Sequence, residues 1–194
     1  MKTNNFKTVR AYNINWLKNA TNNDKGAQQM VINSKQDNNI VIKSFTNKFG
    51  HIFSDVKPSE FIEASKFNFN LMEIINNNVH KVYFDIDAKT ETIKDKTNYR
   101  AFCISEIEKI FPASDMALSG SENEYKYSYH ITLNNYNVNN DDDKALLKII
   151  VKKLKETITD IDISVYSKNR CMKFINQSKP TTKQQPLKRV QELY

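Results

Sequence analysis

The sequence predicts an α+β fold in which an antiparallel sheet carries helices on one face and leaves the other free. Three observations lead there. Residues 80 to 175 read as strand, helix, strand, strand, helix, strand, the order of a split βαβ arrangement. Two strands in that stretch alternate apolar and polar residues with period two, and two helices each carry an apolar stripe. Hydrophobic residues make up 39% of the 194 and aromatics 11%, a globular composition with enough chain to bury a core.

The elements follow in order. Trp16 and Leu17 suggest a short first helix. Met30 to Ile32 and Ile40 to Phe45 read as strands, being short and β-branched. Pro58-Ser59-Glu60 reads as a helix start, with Phe61 and Ile62 facing inward. Phe69 to Ile75 reads as a second helix ending in an Asn run. Val79 to Ala88 is the strongest strand, with Val82, Phe84 and Ile86 on one face and Tyr83, Asp85 and Asp87 on the other. Thr97 to Phe111 reads as an amphipathic helix with Tyr99, Cys103, Ile107 and Ile110 as its stripe, stopped by Pro112. Met116 to Ser119 reads as a strand and Gly120 to Glu124 as a turn. Tyr125 to Leu133 is a second clear strand, with Lys126, Ser128, His130 and Thr132 on its polar face. Asp141 to Asp143 are expected to cap a helix from about Lys144 to Ile158, whose core face is Leu147, Ile150, Leu154 and Ile158. Asp162 to Tyr166 and Cys171 to Ile175 read as short strands around a turn. Three divisions result: 1–78 as an N-terminal αβ subdomain, 79–175 as a sheet subdomain, and 176–194 as a basic tail or the start of a linker.

Composition narrows the function. The formal net charge of +7 favours polyanionic partners such as nucleic acid. Three glycines and no Walker or dinucleotide-binding pattern leave phosphates to side chains or metal. Two cysteines, no C-x-x-C pair and three scattered histidines make no zinc site expected within this chain. No signal-peptide pattern and no apolar stretch of membrane-spanning length are present, so an intracellular, soluble protein is expected.

Three constellations carry chemistry. Asp85 and Asp87, at i and i+2 on one strand, project from the same face. Carboxylates that close repel, and a divalent cation relieves the repulsion. D-x-D is also common on solvated edge strands. Lys126, Ser128 and His130 form a second row, an ammonium, a hydroxyl and an imidazole suited to a triphosphate, and equally a plain polar outer face. The third run, Asp162 to Lys173, adds one carboxylate and the cations Lys168, Arg170 and Lys173. By itself it also reads as a charged turn.

Taken in order, these three runs resemble the motifs of the archaeo-eukaryotic primase superfamily, in particular its primase-polymerase and large-DNA-virus primase branches. The apolar strand ending in D-x-D is matched by Tyr83-Phe84-Asp85-Ile86-Asp87. The S-x-H motif with a preceding basic residue is matched by Lys126-Tyr127-Ser128-Tyr129-His130-Ile131, with a Ser119-Gly120-Ser121 turn upstream. The long third motif is matched from Asp162 through Val165-Tyr166-Ser167-Lys168-Asn169-Arg170 to Lys173. The resemblance covers roughly Val79 to Phe174. Lys173 stands where many members carry Arg, and the zinc module of some relatives has no ligands here.

The resemblance implies a primase catalytic core with an N-terminal αβ subdomain and an RRM-like catalytic sheet. It implies a DNA primase or primase-polymerase, a nucleotidyltransferase joining NTP or dNTP to a 3′-hydroxyl on a single-stranded DNA template. Asp85, Asp87 and Asp162 would hold two Mg²⁺ or Mn²⁺ ions, with Lys126, Ser128, His130, Lys168, Arg170 and Lys173 binding the nucleotide. A helicase domain, fused or in complex, and a viral or mobile-element source acting at a host nuclear or cytoplasmic replication site are further expectations. The competing readings are an inactive primase-like module that binds single-stranded nucleic acid and a metal-dependent nuclease.

Overall fold

The computed structural model describes residues 27–35, 38–46, 50–65, 70–75, 79–122, 125–173 and 188–189. The expected helix at Trp16 and Leu17 lies outside them, as do Phe69 and residues 174–175. The chain divides into two units, Met1–Asn76 with Asn169–Pro186, and Asn77–Lys168 with Leu187–Tyr194. Each has a four-stranded antiparallel sheet. The α+β class with antiparallel sheets and helices is therefore as the sequence predicts.

In the first unit, α1 (Ala27–Ser34), β1 (Ile40–Thr46), β2 (Gly50–Val56), α2 (Pro58–Ser65), β3 (Met72–Ile75) and β7 (Arg170–Lys173) build a sheet ordered β2-β1-β3-β7. Both faces of β1 are buried, because each meets a different helix. Val41 clusters with Phe53, Ile74 and the α1 residues Ala27 and Val31. Ile42 clusters with Ile52, Val56, Leu71 and the α2 residues Phe61 and Ala64. Pro58 opens α2 with a preset φ, and the Glu60 carboxylate accepts from the Lys57 N–H at 3.1 Å, the return half of a capping box.

Three readings of this region are corrected. Met30 to Ile32 is helical, because Ala27 and Val31 at i and i+4 supply the buried stripe while Met30 is exposed. Residues 72–75 form a strand, because β3 is hydrogen-bonded on both sides, to β1 and β7, and that pairing overrides local helical periodicity. Ile62 points to solvent, since the i, i+3 stripe of α2 runs through Phe61 and Ala64. β2 is an additional strand, paired with β1 as a hairpin.

The second unit holds β4 (His80–Lys89), α3 (Lys96–Glu108), β5 (Met116–Glu122), β6 (Lys126–Val138), α4 (Asp141–Leu154), a 3-10 turn (Ile163–Tyr166) and β8 (Lys188–Arg189). Its sheet is ordered β4-β6-β5-β8. Val82, Phe84, Ile86 and Ala88 of β4 are buried with Tyr129, Ile131 and Leu133 of β6. Phe111, just past α3, meets Phe84 edge-on at 6.0 Å, so that end of the helix lies on the apolar face. Asp95 caps α3 by accepting from Thr97 and Asn98 N–H groups at 2.9 and 3.0 Å. Asn140 caps α4, and Asp141, Asp142 and Asp143 occupy its first turn, where the helix dipole favours them.

Several boundaries shift here too. The stripe of α3 is Cys103, Ile104 and Ile107, with Ile110 largely exposed. The stripe of α4 is Leu147, Val151 and Leu154, and Ile150 is only half-buried. Residues 120–122 continue β5 in register with β6 instead of turning. Residues 163–166 form a 3-10 turn, and β7 joins the first unit's sheet, so 79–175 is not one subdomain. Asn169, at φ 57°, takes the left-handed conformation that asparagine tolerates at this reversal. Residues 188–189 of the supposed tail pair with β5. Among the described residues, no helix is long and apolar enough to cross a membrane.

Candidate metal centre

The alternation of β4 aims Tyr83, Asp85 and Asp87 away from the apolar face, and its pairing with β6 decides what they meet. Asp85 lies opposite His130, Asp87 opposite Ser128, and Lys89 opposite Lys126. Residues paired across antiparallel strands share a face, so the two polar rows read separately from the sequence form one surface. One strand further, Ser119 lies opposite His130 and Ser121 opposite Ser128. Both serines are buried, at 8% and 7% exposure.

Asp162 comes from the other edge. The chain after α4 returns antiparallel to β4 and touches it through a single bridge, Ile86 with Ile161. Two backbone bonds flank that bridge. Asp87 N–H donates to Asp160 O at 2.9 Å, and Asp162 N–H donates to Asp85 O at 2.8 Å. Asp162 therefore stands beside Asp85, on the side away from His130. Its carboxylate accepts from the Ser164 N–H at 2.8 Å and caps the 3-10 turn.

Asp85, Asp87 and Asp162 each offer an oxygen within 4.8 Å of the others. At that spacing and an effective dielectric of about 20, each pair of full negative charges repels by about 3 kcal/mol. Nearby donors offset part of this. Lys126 Nζ lies 2.6 Å from Asp87 Oδ2, Ser128 Oγ donates to Asp87 Oδ1 at 2.7 Å, and His130 Nε2 lies 3.5 Å from Asp85 Oδ1. The donor set is all oxygen, hard and anionic, and half-buried, which suits Mg²⁺ or Mn²⁺ and not a soft metal. These three residues can hold a divalent cation.

Because one bridge is a short ladder, side chains carry the rest of the support for Asp162. Carbonyls two apart on a strand edge point the same way. Asp85 O is taken by Asp162 N–H, and Tyr83 O, next along that edge, accepts from the Tyr166 hydroxyl. The Tyr83 hydroxyl donates in return to Val165 O at 2.9 Å, and the two rings stack at 5.3 Å and 15°. Burial of Tyr166, followed by the Tyr83, Asp85 and Asp162 charges, drives its phenol well above the usual tyrosine range, so it stays a donor. The Lys155 ammonium bonds Ile161 O and, at 3.0 Å, Thr159 O. Tyr99 donates to Asp160 at 2.5 Å. Sequence reasoning singled out none of these supporting roles. The signal available for Tyr83 was its place in the same alternating row as Asp85.

The structure thus brings together Asp85, Asp87, Asp162, Lys126, Ser128 and His130 within the second unit. Lys168 is exposed in the turn after Tyr166. Arg170 and Lys173 lie on β7, paired with Ile75 and Met72 in the first unit's sheet. Compared with known proteins, the chain matches no family model and no curated protein.

Proposed function

We propose that this chain is the catalytic portion of a DNA primase or primase-polymerase, of the archaeo-eukaryotic type that its motifs resemble. The observation that carries this reading is the meeting of three carboxylates, one of them 75 residues beyond its nearest partner in sequence, beside Lys126, Ser128 and His130. The strand order supports it as well. β4, β6 and β5 with the 160–162 segment on the free edge of β4 make the order of a split βαβ, RRM-like sheet whose last strand is reduced to one bridge.

Two divalent ions bound by Asp85, Asp87 and Asp162 would lower the pKa of the primer 3′-hydroxyl and neutralise the triphosphate during in-line displacement of pyrophosphate. The protein's own part is positional. Asp85, between Asp162 and His130 in the cross-strand row, and Asp87 would hold the ions together with Asp162. Ser128 orients the Asp87 carboxylate, and His130 offers its imidazole as a hydrogen-bond donor or cation beside the phosphates, not as a nucleophile. Lys126 supplies a point charge. The roles of Lys168, Arg170 and Lys173 rest on the resemblance alone. A single-stranded template across the polar sheet face is in keeping with the basic net charge.

The test is labelled-nucleotide incorporation on single-stranded DNA with Mg²⁺ or Mn²⁺, with and without a preformed primer, alongside a labelled strand without nucleotides. Template-dependent product growth is expected. Shortening of the labelled strand would make the protein a nuclease, and binding of the strand with no metal-dependent nucleotide affinity would make it a binding module.

A further inference from the structure

Asp87 serves two partners at once. Ser128 Oγ donates to one carboxylate oxygen at 2.7 Å, and the Lys126 ammonium sits 2.6 Å from the other. The two contacts differ in kind. Ser128 lies directly opposite Asp87 in the β4–β6 register, on a short side chain in mid-strand. Lys126 lies opposite Lys89 at the very start of β6, and reaches Asp87 diagonally along a four-carbon stem. Its side chain is 32% exposed and that of Asp87 29%, so the ion pair is open to solvent on one side. Lys89, opposite Lys126 in the register, carries the same charge.

A divalent cation held by Asp85, Asp87 and Asp162 would draw on that same Asp87 carboxylate. An ammonium and a divalent cation on one carboxylate repel each other, whereas a serine hydroxyl and a cation do not. We propose that Lys126 is an exchangeable counter-cation, which neutralises Asp87 until a divalent ion takes the carboxylate and whose ammonium then passes to a phosphate of the incoming nucleotide. The proposal rests on the metal-dependent nucleotide site put forward above and adds a coupling to it. Metal and nucleotide bind in support of one another because one lysine is handed from carboxylate to phosphate.

The exchange has a signature of opposite signs. Removing a lysine that merely holds phosphate weakens nucleotide binding and leaves the affinity for metal alone unchanged. Removing one that competes with the metal tightens metal binding as well. Mn²⁺ titration followed by electron paramagnetic resonance, without nucleotide, reads the first sign on wild type, Lys126→Met, Lys89→Met and Asp87→Asn. Nucleotide titration at saturating Mn²⁺ reads the second, and circular dichroism checks that each variant is folded. For an ion pair open to solvent on one side, Lys126→Met is expected to bind Mn²⁺ about two- to fivefold more tightly than wild type. It should also bind nucleotide more weakly. Lys89→Met, which removes the same charge from the facing position, should leave Mn²⁺ affinity near that of wild type. If Lys126→Met gains no more Mn²⁺ affinity than Lys89→Met, or Lys126→Met keeps wild-type nucleotide affinity, the exchange is overturned and the metal site stands. If wild type shows no saturable Mn²⁺ binding, or Asp87→Asn binds as wild type does, the metal site itself is overturned, and the exchange with it.

Discussion

Replacing Tyr166 by phenylalanine removes one oxygen and leaves the rest of the ring in place, which isolates what that hydroxyl does. It donates to Tyr83 O, on the edge of β4 where the ladder to the 160–162 segment has already stopped. The stacked ring pair and the Tyr83 bond to Val165 O remain in the variant. Loss of a hydrogen bond together with an acceptor left buried costs about 1–3 kcal/mol. At about 2–4 °C per kcal/mol for a chain of this size, the middle of that range lowers Tm by about 4–8 °C. A purely structural role ends there. If the hydroxyl also fixes Asp162 through the 3-10 turn, Mn²⁺ affinity falls too, by the about 10–100-fold typical of lost support behind a metal ligand. Thermal melting followed by circular dichroism and Mn²⁺ titration by electron paramagnetic resonance read the two effects separately. A lowered Tm with wild-type Mn²⁺ affinity refutes the positioning argument.

Three further outcomes are expected elsewhere in the chain. Asn140→Ala removes the side chain that accepts from the Asp143 N–H and should cost about 1 kcal/mol in a denaturant melt, while Asn140→Ser should cost far less. Burial raises the Glu73 carboxyl above its ordinary value of 4.5, so the folded state holds that proton more tightly than the unfolded state does. The stability this gives is present below the unfolded value and lost as pH rises through the folded one. Glu73→Gln should therefore raise Tm at pH 7, with the gain vanishing as pH falls below 4.5. Burial pushes the Cys103 thiol up to about 12, so Cys103 should resist alkylation at pH 8 until the protein is unfolded, as mass spectrometry of labelled peptides would show.

The parts of the fold that could be read from the sequence are those in which period and partner agree. β4 alternates over residues 84–88 and β6 over residues 128–133, because there one face of each meets the apolar core and the other carries the polar row, so the faces of Asp85, Asp87, Ser128 and His130 are legible in the sequence. Register is a different matter. Nothing in either strand states that Asp85 lies opposite His130, because that depends on how far two strands slide past each other. The first unit is less legible for a related reason. Both faces of β1 are buried, so its neighbours lack alternation, and β3 is only four residues long. A four-residue strand held from both sides takes its conformation from its partners, and its local sequence reads as well as a helix. The return of residues 188–189 to β5 depends on tertiary pairing in the same way, which a basic composition does not reveal. The Tyr83 and Tyr166 pair leaves no trace in the sequence pattern. Their bonds run between a side chain and a backbone carbonyl 82 and 83 positions away, and no periodicity encodes such a contact.

Asp85, Asp87 and Asp162 are proposed to act as one metal-dependent site for joining nucleotides. The most direct measurement is primer extension on a single-stranded DNA template with Mn²⁺, comparing wild type with Asp87→Ala at equal folded concentration. The prediction is extension by wild type and none above background by the variant, with circular dichroism unchanged. Extension by Asp87→Ala at the wild-type rate would contradict it.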